Sequence, residues 1–146
     1  MRSIKAILIC LSLLCLMTSC KSSNQTITFK DLIGLAERDI TKIEFRDGGT
    51  GALFRTTDER KINEFWDFLN EHTYKKAKQP EPFTGYTYAG QLTSLNKETK
   101  IGFAKNMLSL DMYYNIIPEN ETDFDNYLRK IVESFGKVST LDGNIP

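Results

Sequence analysis

Cysteine stops at position 20. The chain has three, Cys10, Cys15 and Cys20, so everything after them lacks a thiol for a disulfide, a cysteine-based metal site or thiol catalysis. Histidine is almost absent as well. With His72 alone, general acid–base work has no second imidazole, and a zinc site would draw most of its ligands from carboxylates. No metal and no cofactor are expected. An excess of charge of either sign is also missing: 19 Lys and Arg balance 19 Asp and Glu, so nothing pulls the whole chain towards nucleic acid. Long hydrophobic runs are missing too. The one apolar stretch, Ile7 to Met17, has roughly eleven residues where a bilayer needs about twenty. No repeat or low-complexity tract is present.

That short apolar stretch sits in a recognisable order. Arg2 and Lys5 precede it, and the small residues Thr18 and Ser19 follow it. These are the three parts of an export signal. Met17-Thr18-Ser19-Cys20 resembles the lipobox of bacterial lipoprotein signal peptides, with Met in the place usual for Leu. The resemblance implies that Cys20 receives a diacylglyceryl thioether, palmitate being typical of such acyl chains, and becomes the first residue of the mature protein. Removing Arg2 and Lys5 with the leader leaves an excess of two negative charges, so membrane attachment falls to the acyl chains, each buried methylene contributing about 0.8 kcal/mol. The expected location is the extracytoplasmic face of the cell membrane.

Residues 1–19 are thus read as leader, 20–27 as a polar tether, 28–136 as one folded domain and 137–146 as a loose tail. Phe29 to Ala36 predicts a short helix capped by Thr28. Ile40 to Phe45 alternates as a half-buried strand, Asp47-Gly48-Gly49-Thr50-Gly51 turns, and Ala52 to Thr56 returns as the second arm of a hairpin. Ile62, Phe65, Trp66 and Leu69 mark a helix opened by a capping-box pattern at Thr56 to Glu59. Tyr74 to Lys78 reads as a short edge strand whose lysines discourage edge pairing. Tyr86 to Ile117 reads as a three-stranded meander, with turns at Asn96 to Thr99 and at Lys105-Asn106. Thr122 is expected to cap a last helix with Phe124, Tyr127, Leu128, Ile131, Val132 and Phe135 on one stripe, closed by Gly136. The fold class is therefore α+β: an antiparallel sheet, hairpin plus meander, with two amphipathic helices on one face.

Few residues point to chemistry. The glycine-rich turn lacks the Lys-Ser/Thr and the strand-to-helix setting of a phosphate loop, and the alternating acids of a calcium loop. The acidic pairs Asp58/Glu59 and Asp123/Asp125 open helices, where anions suit the dipole, and His72 closes one. The basic cluster Lys75, Lys76 and Lys78 suits an anionic head group, a wall polymer or an acidic partner, or else a solvated edge. Tyr86 and Tyr88 are expected on one strand face, with Tyr113 or Tyr114 able to join them, offering contact area at small entropic cost.

"ITKIEFRDGGTG", "TTDERKINEFWDFLN" and "YKKAKQPEPFTGYTY" resemble a group of small lipoproteins of low-GC Gram-positive bacteria. The resemblance implies a fold and no reaction. The expected function is a non-enzymatic binding or accessory domain, held to the membrane through Cys20 and meeting a protein or cell-wall partner through Lys75, Lys76, Lys78, Phe83, Tyr86 and Tyr88. An inhibitor or immunity protein acting on an extracytoplasmic enzyme or toxin is the alternative. A carboxylate-based hydrolase stands behind both.

Overall fold

Period-2 and period-3.6 patterns place the apolar side chains of this chain on one side of a sheet and on the facing stripes of its helices. The computed structural model describes residues 25–77, 85–95, 97–117 and 121–138. The leader, Cys20, most of the tether, Lys78, Phe83, Pro118 and residues 139–146 lie outside them. The strands are β1 (Ile27–Thr28), β2 (Ile40–Asp47), β3 (Leu53–Thr56), β4 (Thr73–Lys76), β5 (Tyr88–Ser94), β6 (Glu98–Ala104), β7 (Met107–Ser109) and β8 (Tyr113–Ile117). The helices are α1 (Phe29–Ile33), α2 (Glu59–Asn70) and α3 (Glu121–Ser134), and a 3-10 turn covers Glu37–Asp39. All strands join one antiparallel sheet in the order β1-β4-β8-β7-β6-β5-β2-β3.

Alternation decides the faces. Ile43 and Phe45 of β2, Tyr88 and Leu92 of β5, and Ile101 and Phe103 of β6 share the covered face and are buried. Against them α2 brings Ile62, Phe65, Trp66 and Leu69, α3 brings Phe124, Leu128, Ile131 and Val132, and Phe135 follows directly after α3. The centre is aromatic: Phe65 meets Phe45 at 5.5 Å, Phe135 at 6.0 Å and Phe103 at 6.4 Å between ring centroids. Lys61 at the start of α2 donates to the Ser134 carbonyl at the end of α3, while Phe68 and His72 at the other end of α2 pack on Phe124. The two helices therefore run antiparallel. Tyr127, expected on the buried stripe, is instead 55 % exposed and stacks on the outer side of Phe68.

The α+β class holds, with two helices on one sheet face, and several finer expectations are corrected. The third strand of the meander is two strands, β7 and β8, joined by a reversal in which the Leu110 N–H donates to the Met112 carbonyl. A three-residue loop preserves parity: Leu108 lies opposite Tyr114, so the apolar alternation runs unbroken through the turn and conceals it. β4 is not the edge strand, because β1 pairs with its first two residues. Asp58, not Thr56, caps α2: its carboxylate accepts from the Arg60 N–H, while Thr56 Oγ1 accepts from the Asp58 N–H. α3 is already helical at Glu121, one residue before the expected cap. The segment after α3 is tied down at first. Arg55 donates its N–H to Gly136, and Val138 donates to Leu53, so residues 136–138 flank the outer edge of β3.

Asp47 builds the β2–β3 turn. Its buried carboxylate accepts from the N–H groups of Thr50 at 2.7 Å and Gly49 at 2.8 Å. The Thr50 bond is the main influence and, with that of Gly49, holds the carboxyl below its usual range although burial pushes it up. A group with a depressed native pKa stabilises the fold above its unfolded value and loses that contribution as the pH falls through the native one. Asp47→Ala is expected to cost about 1–3 kcal/mol at neutral pH. Urea melts should show the gap from wild type narrowing as the pH drops below the ordinary aspartate range; a pH-independent gap would contradict the charge-assisted turn.

Candidate functional site

The face of the sheet opposite the helices is open, and its cross-strand register places one row of side chains across the middle. Leu53, Arg46, Ala89, Gly102, Ser109 and Tyr113 follow one another from β3 to β8. The three central positions hold the smallest side chains of the row. Larger neighbours therefore stand up on both sides of them, and the face sinks into a hollow of about 670 Å³.

Tyr86 lies over this hollow. An ideal Cβ on Gly102 would stand 2.9 Å from Tyr86 Cε1 and 3.6 Å from Ser109 Cβ, so the missing side chain lets one edge of the phenol ring come down onto the sheet. The segment is clamped from both sides: the Gly48 N–H donates to the Thr87 carbonyl, and the Thr87 N–H donates to the Phe103 carbonyl. Gly48 also permits the approach, because a Cβ there would come within 1.8 Å of the Tyr86 carbonyl oxygen. Tyr86 is 42 % exposed. Tyr113, opposite Ser109, faces the same hollow from β8.

The next row carries charge: Arg55, Glu44, Gln91 and Lys100. Glu44 meets Lys42 at 2.5 Å and Arg55 at 2.8 Å. Burial pushes its carboxyl up, but hydrogen bonds and charge from Lys42 and Arg55 outweigh this and keep it below the usual range. Arg46 reaches to the Gly51 carbonyl at 2.9 Å, and among the described residues neither Arg46 nor Lys100 makes an ion pair. The hollow thus combines two phenol rings, an apolar and small-residue floor, and a rim with surplus positive charge. Such a surface suits recognition by stacking, hydrogen bonding and ion pairing.

The chain matches no protein-family model, no curated protein and no solved structure.

The residues expected to form one surface are distributed differently. Tyr88 is the clearest correction. It lies opposite Phe103 on the covered face, fully buried, where desolvation raises its hydroxyl pKa, so it offers no area to a partner on the open face. Strand alternation begins only at Tyr88, after the bend at Thr87, and does not extend back to Tyr86. Lys75 is on the open face, opposite Asn115, but on β4, three strands and about 14 Å from β6, and in the row of Ala104 rather than of Gly102. Lys76 has the opposite parity, with Tyr114, and is exposed. Lys78 and Phe83 lie outside the described residues. Tyr113 joins Tyr86, and Tyr114 packs against the core. Arg46, Gln91, Lys100 and the small row Ala89-Gly102-Ser109 were not foreseen. Their outward parity is readable strand by strand, but their juxtaposition requires the register.

The other candidates resolve locally. Asp58/Glu59 and Asp123/Asp125 open two antiparallel helices, which separates them by about 18 Å along a twelve-residue α2 and prevents convergence on one bond. His72 Nδ1 lies 2.8 Å from the Phe68 carbonyl at the end of α2, and its ring packs edge-on against Phe68 and Phe124. Among the described residues, no group of three His, Cys, Asp or Glu is placed to hold a metal, and no helix is long and apolar enough to cross a membrane. A second hollow, of about 710 Å³, lies beside the start of α2. Its walls mix Lys30 with Glu37 and Glu59, and its aromatic member, Trp66, is buried.

Proposed function

We propose that the protein is an extracytoplasmic lipoprotein, acylated on Cys20, that presents the open sheet face as a binding surface and catalyses no reaction. The observation that carries the reading is the hollow itself: the Ala89-Gly102-Ser109 row with Tyr86 laid on it and Tyr113 beside it. A core does not require this arrangement, since the ring of Tyr86 remains 42 % exposed on the face away from the helices. Membrane attachment rests on the order of the leader and the lipobox-like Met17-Thr18-Ser19-Cys20. A protein or wall partner is then met outside the cell.

Two measurements test the two halves. Incorporation of an alkyne-tagged palmitate should be lost in Cys20→Ser; acylation persisting in that variant defeats the anchor. Photo-crosslinking from the native membrane should recover a partner with the wild type, and Tyr86→Ala should lose most of it while Lys76→Glu, away from the hollow, changes little. Equal recovery from wild type and Tyr86→Ala removes the open face from the reading.

The inhibitor alternative has one observation in its favour. Leu95, 84 % exposed, tips the β5–β6 hairpin, and Met112, 47 % exposed, sits in the β7–β8 turn. Apolar tips of this kind suit insertion into another protein's cleft. Leu95→Asp abolishing partner recovery, with Tyr86→Ala leaving it intact, would select that alternative.

A further inference from the structure

The chain's near-neutral total conceals two faces of opposite sign. On the open face the cations Lys42, Arg46, Arg55, Lys75 and Lys100 outnumber the carboxylates Glu44 and Glu98. Glu44 is moreover matched by both Lys42 and Arg55. On the helix side the exposed acids Glu59, Glu64, Asp67, Glu71, Asp123 and Glu133 outnumber the cations Arg60, Lys61, Arg129 and Lys130 together with Lys76, which shares the parity of the covered face. A concavity rimmed by one sign of charge concentrates groups of the other sign, and like charge on the far side disfavours the reverse docking.

We infer that the hollow takes an acidic peptide segment of a partner protein, bound in extended form, with carboxylates against Arg46 and Lys100 and apolar side chains against the floor. This rests on the reading of the open face as a binding surface. Three features select the occupant. The floor is uncharged: Ala89, Gly102 and the ring of Tyr86 offer apolar contact that a bare polyanion would leave unused. Lys100 lies in the row next to the floor and Arg46 beside Ala89 in the floor's own row, and an extended peptide presents its side chains with the same two-residue alternation, at about 3.3 Å per residue. The surface is also hollow, so a flat bilayer reaches the rim and not the floor. An acidic helix face of a second copy carries the right sign, yet it is convex and broad.

The test uses the full-length protein in detergent. The probe is a fluorescein-labelled peptide alternating glutamate with valine or alanine, and the same peptide with lysine for glutamate is the control. Polygalacturonate and phosphatidylglycerol vesicles are parallel probes. The acidic peptide should bind saturably, weaken as salt is raised and lose about tenfold in affinity in Lys100→Glu. The lysine peptide should not bind. Lys100 is exposed, so the variant keeps its thermal melt; Gly102→Ala, which lifts the Tyr86 ring, should weaken binding independently. Saturable binding of polygalacturonate or vesicles without the peptide overturns the inference in favour of a glycan or a lipid. Salt-sensitive self-association without peptide binding overturns it in favour of a second copy. If no acidic probe binds while Tyr86→Ala still loses its crosslinked partner, the peptide inference falls and the binding face stands. If that partner is unaffected as well, both fall.

Discussion

Gly90→Ala should destabilise the protein by about 3 kcal/mol or more, enough to leave a marginal domain largely unfolded in mild urea. Gly90 sits opposite Phe45 where β5 pairs with β2, two strands in from the β3 edge of the sheet. A Cβ there would stand 1.8 Å from the Glu44 carbonyl oxygen and 2.8 Å from Phe45 Cδ1. Neither neighbour has room to retreat, because Glu44 belongs to a backbone paired on both sides and Phe45 is fully buried. Gly102→Ala provides the contrast. Its added methyl meets the ring of Tyr86, a side chain with open space above it, and should cost about 1 kcal/mol or less. Urea melts of the two variants decide the matter; equal losses would mean that the close strand approach at Gly90 relaxes and the argument is wrong.

Phe65→Ala is expected to cost about 3–5 kcal/mol. Phe65 is fully buried and touches rings from β2, β6 and the end of α3, so its removal opens a cavity bounded by elements that are themselves fixed by the sheet. Tyr127→Ala removes a larger side chain that is 55 % exposed and stacked only on the outer side of Phe68, and should cost under about 1 kcal/mol. Calorimetric unfolding of the pair ranks burial against size. A Tyr127 variant as damaged as the Phe65 variant would show that the α2–α3 contact, not the aromatic centre, holds the helices to the sheet.

Much of the fold was legible from one-dimensional patterns because burial on one face imposes a period. The α2 stripe emerged at its observed positions, and the β2–β3 hairpin followed from alternation interrupted by glycines. The same logic failed where two conformations share a parity. Leu108, Leu110, Met112 and Tyr114 alternate alike in a straight strand and in a hairpin with a three-residue loop. It failed again at Tyr86, where a one-residue bend ends the alternation and turns the ring to the opposite face from Tyr88. The spacing of Tyr127 fits the buried stripe, yet α3 presents that position to the outer side of Phe68.

Local propensity and periodicity sufficed for the α+β class and for the buried stripe of α2, because these follow from neighbours within one turn or one pleat, and composition alone excludes a thiol beyond Cys20. The hollow required contacts between residues far apart in the chain. Ala89, Gly102 and Ser109 are unremarkable singly and make a floor only when three strands fall into one register. Register is set by pairing across the whole sheet, and so is the separation of positive and negative faces in a chain whose total charge is zero.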